Sequence, residues 1–270
     1  MKKIFQTIVA LCALLLFTCC SNQQQPQKVW EEVKLRDLAP SNNLRQTLRQ
    51  ISFVDFQILI FEIPADNVSK LDEISKILYL QSIQFNNFNA FGANSFSTGL
   101  GRMSMGDKIL SLLLAADGKR TGTISLALNE GQADDVPINR LFSRNEIFYT
   151  AADGTTKSIP LGPGILALRM KTEKDPVFKG VCNVTMTPVQ TSGTTTWLAG
   201  QIAVGPGNTV FESCSMSMKM SPGDFIFLRP QEYINNQMSL GGLFFSRPSL
   251  KPVVMAYLIV CTGINDSANL

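Results

Sequence analysis

Histidine is absent from all 270 residues. Its absence excludes Ser-His-Asp and Cys-His nucleophilic catalysis, and with them mixed Cys/His zinc sites and His-ligated catalytic zinc. The chain has no G-x-S-x-G, no P-loop and no S-x-x-K in a nucleophile context. Gly99-Leu100-Gly101 lacks the third glycine of a dinucleotide fingerprint. Charge is also scarce, with 24 Lys+Arg against 21 Asp+Glu. No basic block or aromatic–basic interleaving appears, so nucleic-acid binding leaves no footprint. Carboxylate pairs, Ser–Lys dyads and Tyr or Cys chemistry remain as enzymatic options. At 45% hydrophobic residues the chain is built to bury a core and is not of disordered composition.

Long apolar runs are missing too. Residues 4–17, interrupted by Gln6 and Thr7, fall short of the roughly 20 residues that cross a bilayer. With Lys2 and Lys3 in front they read as a signal-peptide h-region. LFTCCSN follows at 16–22, and this stretch resembles the lipobox of bacterial lipoproteins. Cys19 has Leu16 three residues before it, and Thr18 precedes it directly. Cys20 has Phe17 at the Leu position and follows Cys19, which is close to Ser in size, so Cys20 fits slightly better. The resemblance implies cleavage before a lipidated cysteine, Cys20 or else Cys19. It further implies export across the inner membrane and a lipid anchor in the bacterial envelope, at the outer membrane if the cell is Gram-negative. Several acyl chains on one cysteine give stable anchoring. An ordinary secretory signal would want a small A-x-A-like site, and none lies just downstream. Residues 1–20 are therefore leader and lipidation site. The polar stretch at 21–43, beginning SNQQQPQ, is a tether.

The body reads as α+β. Residues 44–136 are expected to form a small α/β module. FVDFQILIFEI at 53–63 is a buried strand ending at Pro64. Val68, Leu71, Ile74, Ile77 and Leu78 recur at helical spacing. The segment 82–101 reads as strand, turn and strand, a second helix carries Ile109 to Leu114, and 121–128 is a strand. This order is similar to that of small α/β modules in periplasmic ring and secretion components. Residues 137–265 are nearly all strand and turn, which predicts a mostly antiparallel, β-sandwich-like domain. Ala152-Asp153-Gly154 marks a hairpin within it.

Three patterns are candidates for chemistry. Cys214, Met216, Met218 and Met220 alternate onto one strand face, either as soft ligands for Cu(I) or as core residues. Asp134-Asp135 reads as a solvated loop at the unit boundary. Phe85, Phe88, Phe91 and Phe96 are interleaved with Asn86, Asn87, Asn89 and Asn94. Exposed, they would form a partner- or glycan-binding surface; buried, they would be core. Cys182, Cys214 and Cys261 are three body cysteines, and one pair of them is bridgeable if strands bring them together. The expected function is a non-catalytic binding or adaptor subunit of an envelope assembly. It needs no cofactor, sits on the membrane by its anchor, and has another envelope protein as partner. The alternative is a glycan-directed enzyme, or a solute- or Cu(I)-binding lipoprotein.

Overall fold

A computed structural model describes residues 52–191, 208–234, 238–248 and 250–266. The expected leader, the candidate lipidation cysteines Cys19 and Cys20, and the expected tether lie outside the described residues. The chain starts with β1 (Ser52–Pro64), a 3-10 turn (Ala65–Leu71) and α1 (Asp72–Ser75). Next come β2 (Ile83–Phe85), α2 (Phe88–Ala93), β3 (Phe96–Gly101) and α3 (Gly106–Ala115). Strands β4 (Lys119–Asn129), β5 (Ala133–Leu141), β6 (Asn145–Thr150) and β7 (Thr156–Leu161) follow. The next strands are β8 (Gly164–Lys174), β9 (Cys182–Thr191), β10 (Thr209–Val210), β11 (Met216–Met220) and β12 (Phe225–Pro230). The last elements are α4 (Leu240–Phe245), β13 (Ser246–Arg247) and β14 (Val253–Asp266).

Two antiparallel sheets face each other. The first runs β3-β12-β14-β1-β4, with β13 added on β14. The second runs β2-β11-β9-β8-β5, with β10 added on β9, and β6–β7 form a separate hairpin. In β1, alternation sends Val54, Phe56 and Ile58 into the core between the sheets. Phe61 and Ile63 go to the opposite face, into a second core under the 3-10 turn, α1 and α3. A strand buried on both faces has apolar residues in both phases, so FVDFQILIFEI shows no clean alternation. The helical layer rests on Val68, Leu71, Ile74, Ile109 and Leu113. Where one helix was expected over 68–78, a 3-10 turn runs into a single α-turn. The spacing of three between Val68, Leu71 and Ile74 suits a helix of three residues per turn. Asn67 Nδ2 fixes this stretch to the end of α3 by donating to Ala116 O (3.2 Å) and Asp117 Oδ2 (2.7 Å).

The β-rich, antiparallel character is as expected; a separate α/β module over 44–136 is not seen, because β1 pairs with β4 inside that range while strands of the range also pair beyond it. β1 pairs with β14 from Ser52↔Asp266 to Pro64↔Val253, β2 with β11, β3 with β12, and β5 with β8. The physical reason is cover: each of these strands buries apolar side chains that the short local helices cannot reach. The expected boundary at 136/137 falls inside β5. Asp134-Asp135 is accordingly strand and not loop. The Asp135 carboxylate takes a two-pronged bond from Arg169 on β8, Nε to Oδ1 at 2.7 Å and Nη2 to Oδ2 at 2.8 Å. At the hairpin between β6 and β7, Gly154 adopts φ +79°, where a side chain would be strained.

The β8–β9 connection is organised by Asp175. Its carboxylate accepts from Val177 N (2.8 Å) and Phe178 N (3.0 Å) and pairs with Lys219 Nζ at 2.6 Å. The Lys219 ammonium, with the two amides, holds its pKa down at about 2. A depressed carboxylate stabilises the fold above the unfolded value, and that stabilisation is lost as pH falls through the folded one. Denaturation midpoints of Asp175→Asn are therefore expected below wild type at pH 7, with the gap closing between about pH 4 and pH 2. A gap that stays constant over that range would refute the assignment.

Candidate functional site

The phenylalanine-rich stretch builds the site. β2 ends on Phe85, α2 carries Phe88 and Phe91, and β3 begins on Phe96. Asn87 caps α2, its Oδ1 accepting from Ala90 N at 2.9 Å, the usual service of Asn at a helix start. The rings form a chain: Phe85–Phe88 centroids lie 5.2 Å apart, Phe85–Phe91 4.9 Å and Phe91–Phe96 5.4 Å. The four separate by depth. Phe91 and Phe96 are buried, Phe85 is half-buried, and Phe88 is 56% exposed. They line a groove of about 410 Å³ together with Leu78 and Leu80, within the range of small-ligand and side-chain pockets. None of its lining residues is charged. Its polar lining includes Asn89, Gln231 and Thr98, whose buried Oγ1 has no hydrogen-bond partner among the described residues.

Most of the interleaved amides are structural and do not face a ligand. Asn86 Nδ2 donates to Glu212 O (2.8 Å) and Asn87 Nδ2 to Ala152 O (2.7 Å). Asn94 is buried, donating to Ala90 O (2.7 Å) and Thr150 O (2.8 Å) and accepting from Thr150 N (3.0 Å). Only Asn89 of the four lines the groove. Polar spacing in the sequence does not separate a cap or a tether from a binding amide; the hydrogen-bond partners do.

The groove wall depends on glycine. A Cβ on Gly99 would come within 2.6 Å of Leu78 Cβ, and one on Gly101 within 2.2 Å of Phe225 Cζ. The Gly-Leu-Gly of β3 thus serves close packing. Gly99→Ala is expected to cost about 1–3 kcal/mol by overpacking and to push Leu78 out of the wall. Thermal denaturation with a probe at position 78 checks it; an unchanged midpoint would show that the wall yields freely. Behind the wall, Arg229 is 4% exposed. Its Nη2 donates to Asp72 Oδ1 (2.6 Å) and Ser75 Oγ (2.9 Å), tying α1 to β12. Burial pulls the guanidinium pKa down, and Asp72 pulls it back up.

A second, polar cleft of about 720 Å³ lies along the outer face of β11 and β9, lined among others by Tyr79, Arg102, Glu173, Asn183, Lys219 and Asp224. Its charges are engaged locally. Glu173 pairs with Lys171 at 2.7 Å, Lys219 with Asp175, and Asp224 Oδ2 accepts from Ser221 N at 2.8 Å. The two carboxylates lining the cleft are thus partnered by neighbours, an arrangement of turn and surface charges.

Of the two readings of the Cys214–Met220 row, the structure places it as core. Cys214, Met216, Met218 and Met220 are 1%, 2%, 4% and 0% exposed and belong to the core between the sheets. The row does not offer the accessible face that Cu(I) handling needs. Cys214 itself is not on β11 but ends the 3-10 turn (Glu212–Cys214) before it. Burial pushes its thiol up to about 12. Among the described residues, no group of three or more Cys, Asp or Glu is placed to hold a metal. No described helix is long and apolar enough to cross a membrane.

No protein-family model and no curated protein matches the chain. Among solved structures it is similar to the InvG secretin domain β-barrel from the Salmonella SPI-1 injectisome NC-base. The identity there is 12%, over 82% of this chain and 64% of that one, with a TM-score of 0.26. It is also similar to the V. cholerae type IV competence pilus secretin PilQ, at 9% identity over 80% of this chain and 59% of that one, with a TM-score of 0.19. The chain spans less than two thirds of either structure, and TM-scores this low establish no shared fold.

Proposed function

We propose that this protein is a membrane-anchored envelope lipoprotein acting as a non-catalytic binding subunit, and that its partner docks at the phenylalanine groove. The partner is an uncharged, apolar segment of another envelope protein. The observation that carries this reading is Phe88. A large aromatic ring is kept more than half exposed above a groove whose lining holds no charge. Interfaces favour aromatic anchors and deplete charge at their centres. Placing the groove on β2, α2 and β3 gives it a rigid base, since β3 and β2 are each hydrogen-bonded into a sheet. The N-terminal leader supports the anchor, with Cys20 as first choice and Cys19 as second for the acyl group.

The test is in-cell photo-crosslinking from position 89, in the native anchored protein, with mass spectrometry of what is captured. One envelope protein is expected, with capture falling about 10- to 100-fold in Phe88→Ala. The variant's thermal midpoint should stay near wild type. Recovery of the protein alone, or capture indifferent to Phe88, would refute the docking site. Metabolic labelling with an alkyne fatty acid tests the anchor separately: label is expected on the wild type and lost in a Cys19→Ala, Cys20→Ala double variant.

A further inference from the structure

The body cysteines Cys182, Cys214 and Cys261 are free thiols and all are buried. Two of them come from opposite sheets. Cys182 opens β9 in the second sheet, and Cys261 lies on β14 in the first. Both belong to the core between the sheets. They meet under the turn at 221–224, where the chain crosses from β11 to β12. On one side of that turn Met220 pairs with Cys182, whose Sγ lies 3.5 Å from Met220 O. On the other, Gly223 N donates to Cys261 O (2.8 Å) and Cys261 N to Asp224 O (2.9 Å). β14 is also bulged here: Phe56 pairs with Cys261 and Asp55 with Gly263, leaving Thr262 as the extra residue. Bulges commonly re-aim a side chain. The neighbouring thiols act on each other's titration, lowering the Cys261 pKa and raising that of Cys182. Cys214 lies elsewhere, with Ser213 Oγ 3.9 Å from its Sγ.

We propose that Cys182 and Cys261 form a disulfide joining the two sheets when the chain folds in the presence of a disulfide oxidant. One cysteine, as thiolate, attacks a sulfur of the oxidant's S–S bond. That bond breaks, giving a mixed disulfide and the oxidant's first thiol. The second cysteine attacks the chain's sulfur in the mixed disulfide and releases the oxidant's second thiol. Two S–H bonds are lost and one S–S bond is gained. The two electrons reside on the reduced oxidant, and the protons pass to its thiols through solvent. Both sulfurs are sealed once the sheets close, so exchange precedes closure and the finished bond is shielded from reductant. The bridge closes a loop of about 80 residues, a length at which a crosslink constrains the unfolded chain strongly.

The test uses the full-length chain in detergent, unfolded with reductant and refolded against reduced and oxidised glutathione. Free thiols are then blocked, and the protein is digested with trypsin and chymotrypsin and mapped by mass spectrometry. The expected product is one linked peptide pair containing Cys182 and Cys261, with Cys214 blocked as a free thiol. The oxidised protein should melt about 5–10 °C above the reduced one. In Cys182→Ala, Cys261 should be blocked and the difference in melting lost. Blocking of both Cys182 and Cys261 in the refolded wild type, or a bridge that uses Cys214, would overturn the proposal. The mapping needs no variant, so it decides even if Cys182→Ala fails to fold. It is also independent of whether the chain is lipidated.

Discussion

Phe96→Ala is expected to destabilise the fold by about 3–5 kcal/mol, the usual cost of deleting a buried ring. For a body of this size that lowers the thermal midpoint by about 10–15 °C. The reason is position. Phe96 is 1% exposed and sits at the hub of an aromatic cluster, its ring centroid 5.4 Å from Phe91, 5.5 Å from Phe244 and 5.1 Å from Phe245. It joins the start of β3 to α4, so its loss opens a cavity against two elements at once. It also forms the floor of the groove, so the variant is expected to lose groove binding as well. Phe88→Ala is the control that separates the two roles. That ring packs edge-on against Phe85 and is otherwise open, so its removal should cost under about 1 kcal/mol. Paired calorimetry of the two variants checks the contrast. Similar midpoints for both would mean that burial does not distinguish these rings and that the groove has no packed floor.

Asn94→Ala is the second large effect, expected at about 2–4 kcal/mol. The side chain is 1% exposed, ends α2, and makes three hydrogen bonds, two of them to Thr150 on β6. Alanine leaves the Thr150 amide and carbonyl without these partners in a place water does not reach freely. An unsatisfied buried group costs about 1–3 kcal/mol. Stability alone would not show where the damage lies. Hydrogen exchange should: the Thr150 amide is expected to lose protection, while amides of the β1–β14 pair keep theirs relative to global stability. Loss of protection spread evenly over both sheets would mean that Asn94 acts on the fold as a whole and not as a tether between α2 and the β6–β7 hairpin. The same hairpin is held from the other side by Ser213, whose Oγ donates to Thr150 O and shares a hydrogen bond with Tyr149 Oη, each at 2.7 Å. The expected opening is therefore local.

Individual strands were legible because their signals are local. The apolar run at 53–63 and the turn at 152–154 appear where expected, as β1 and the β6–β7 hairpin. The phenylalanines at 85–96 were legible as a group, and the groove brings all four together. Their division into floor and rim was not, because Phe88 and Phe91 are three residues apart on one short helix and only the packing of α2 decides which is covered. Asp134-Asp135 was misread for a related reason. Paired acids look like a loop until a partner is known, and the partner, Arg169, comes from a strand 34 residues away. Leu240–Phe245 carried no period that marks a helix, since all six of its residues are buried and a helix apolar on every side shows no stripe.

By itself, then, the sequence determined the exclusions and the parts list. Without histidine, whole classes of catalysis and metal binding are closed. Apolar runs punctuated by Pro and Gly set out the strands. Tertiary structure alone decided the partners of those strands. Pairing β1 with β14 joins residues as far apart as Ser52 and Asp266. Hydrogen-bond registers of that kind are chosen by which apolar faces can be covered together, a property of the assembled sheets that no local stretch encodes. The same long-range choice put Cys182 against Cys261, buried the methionine row, and left Phe88 standing open above the groove.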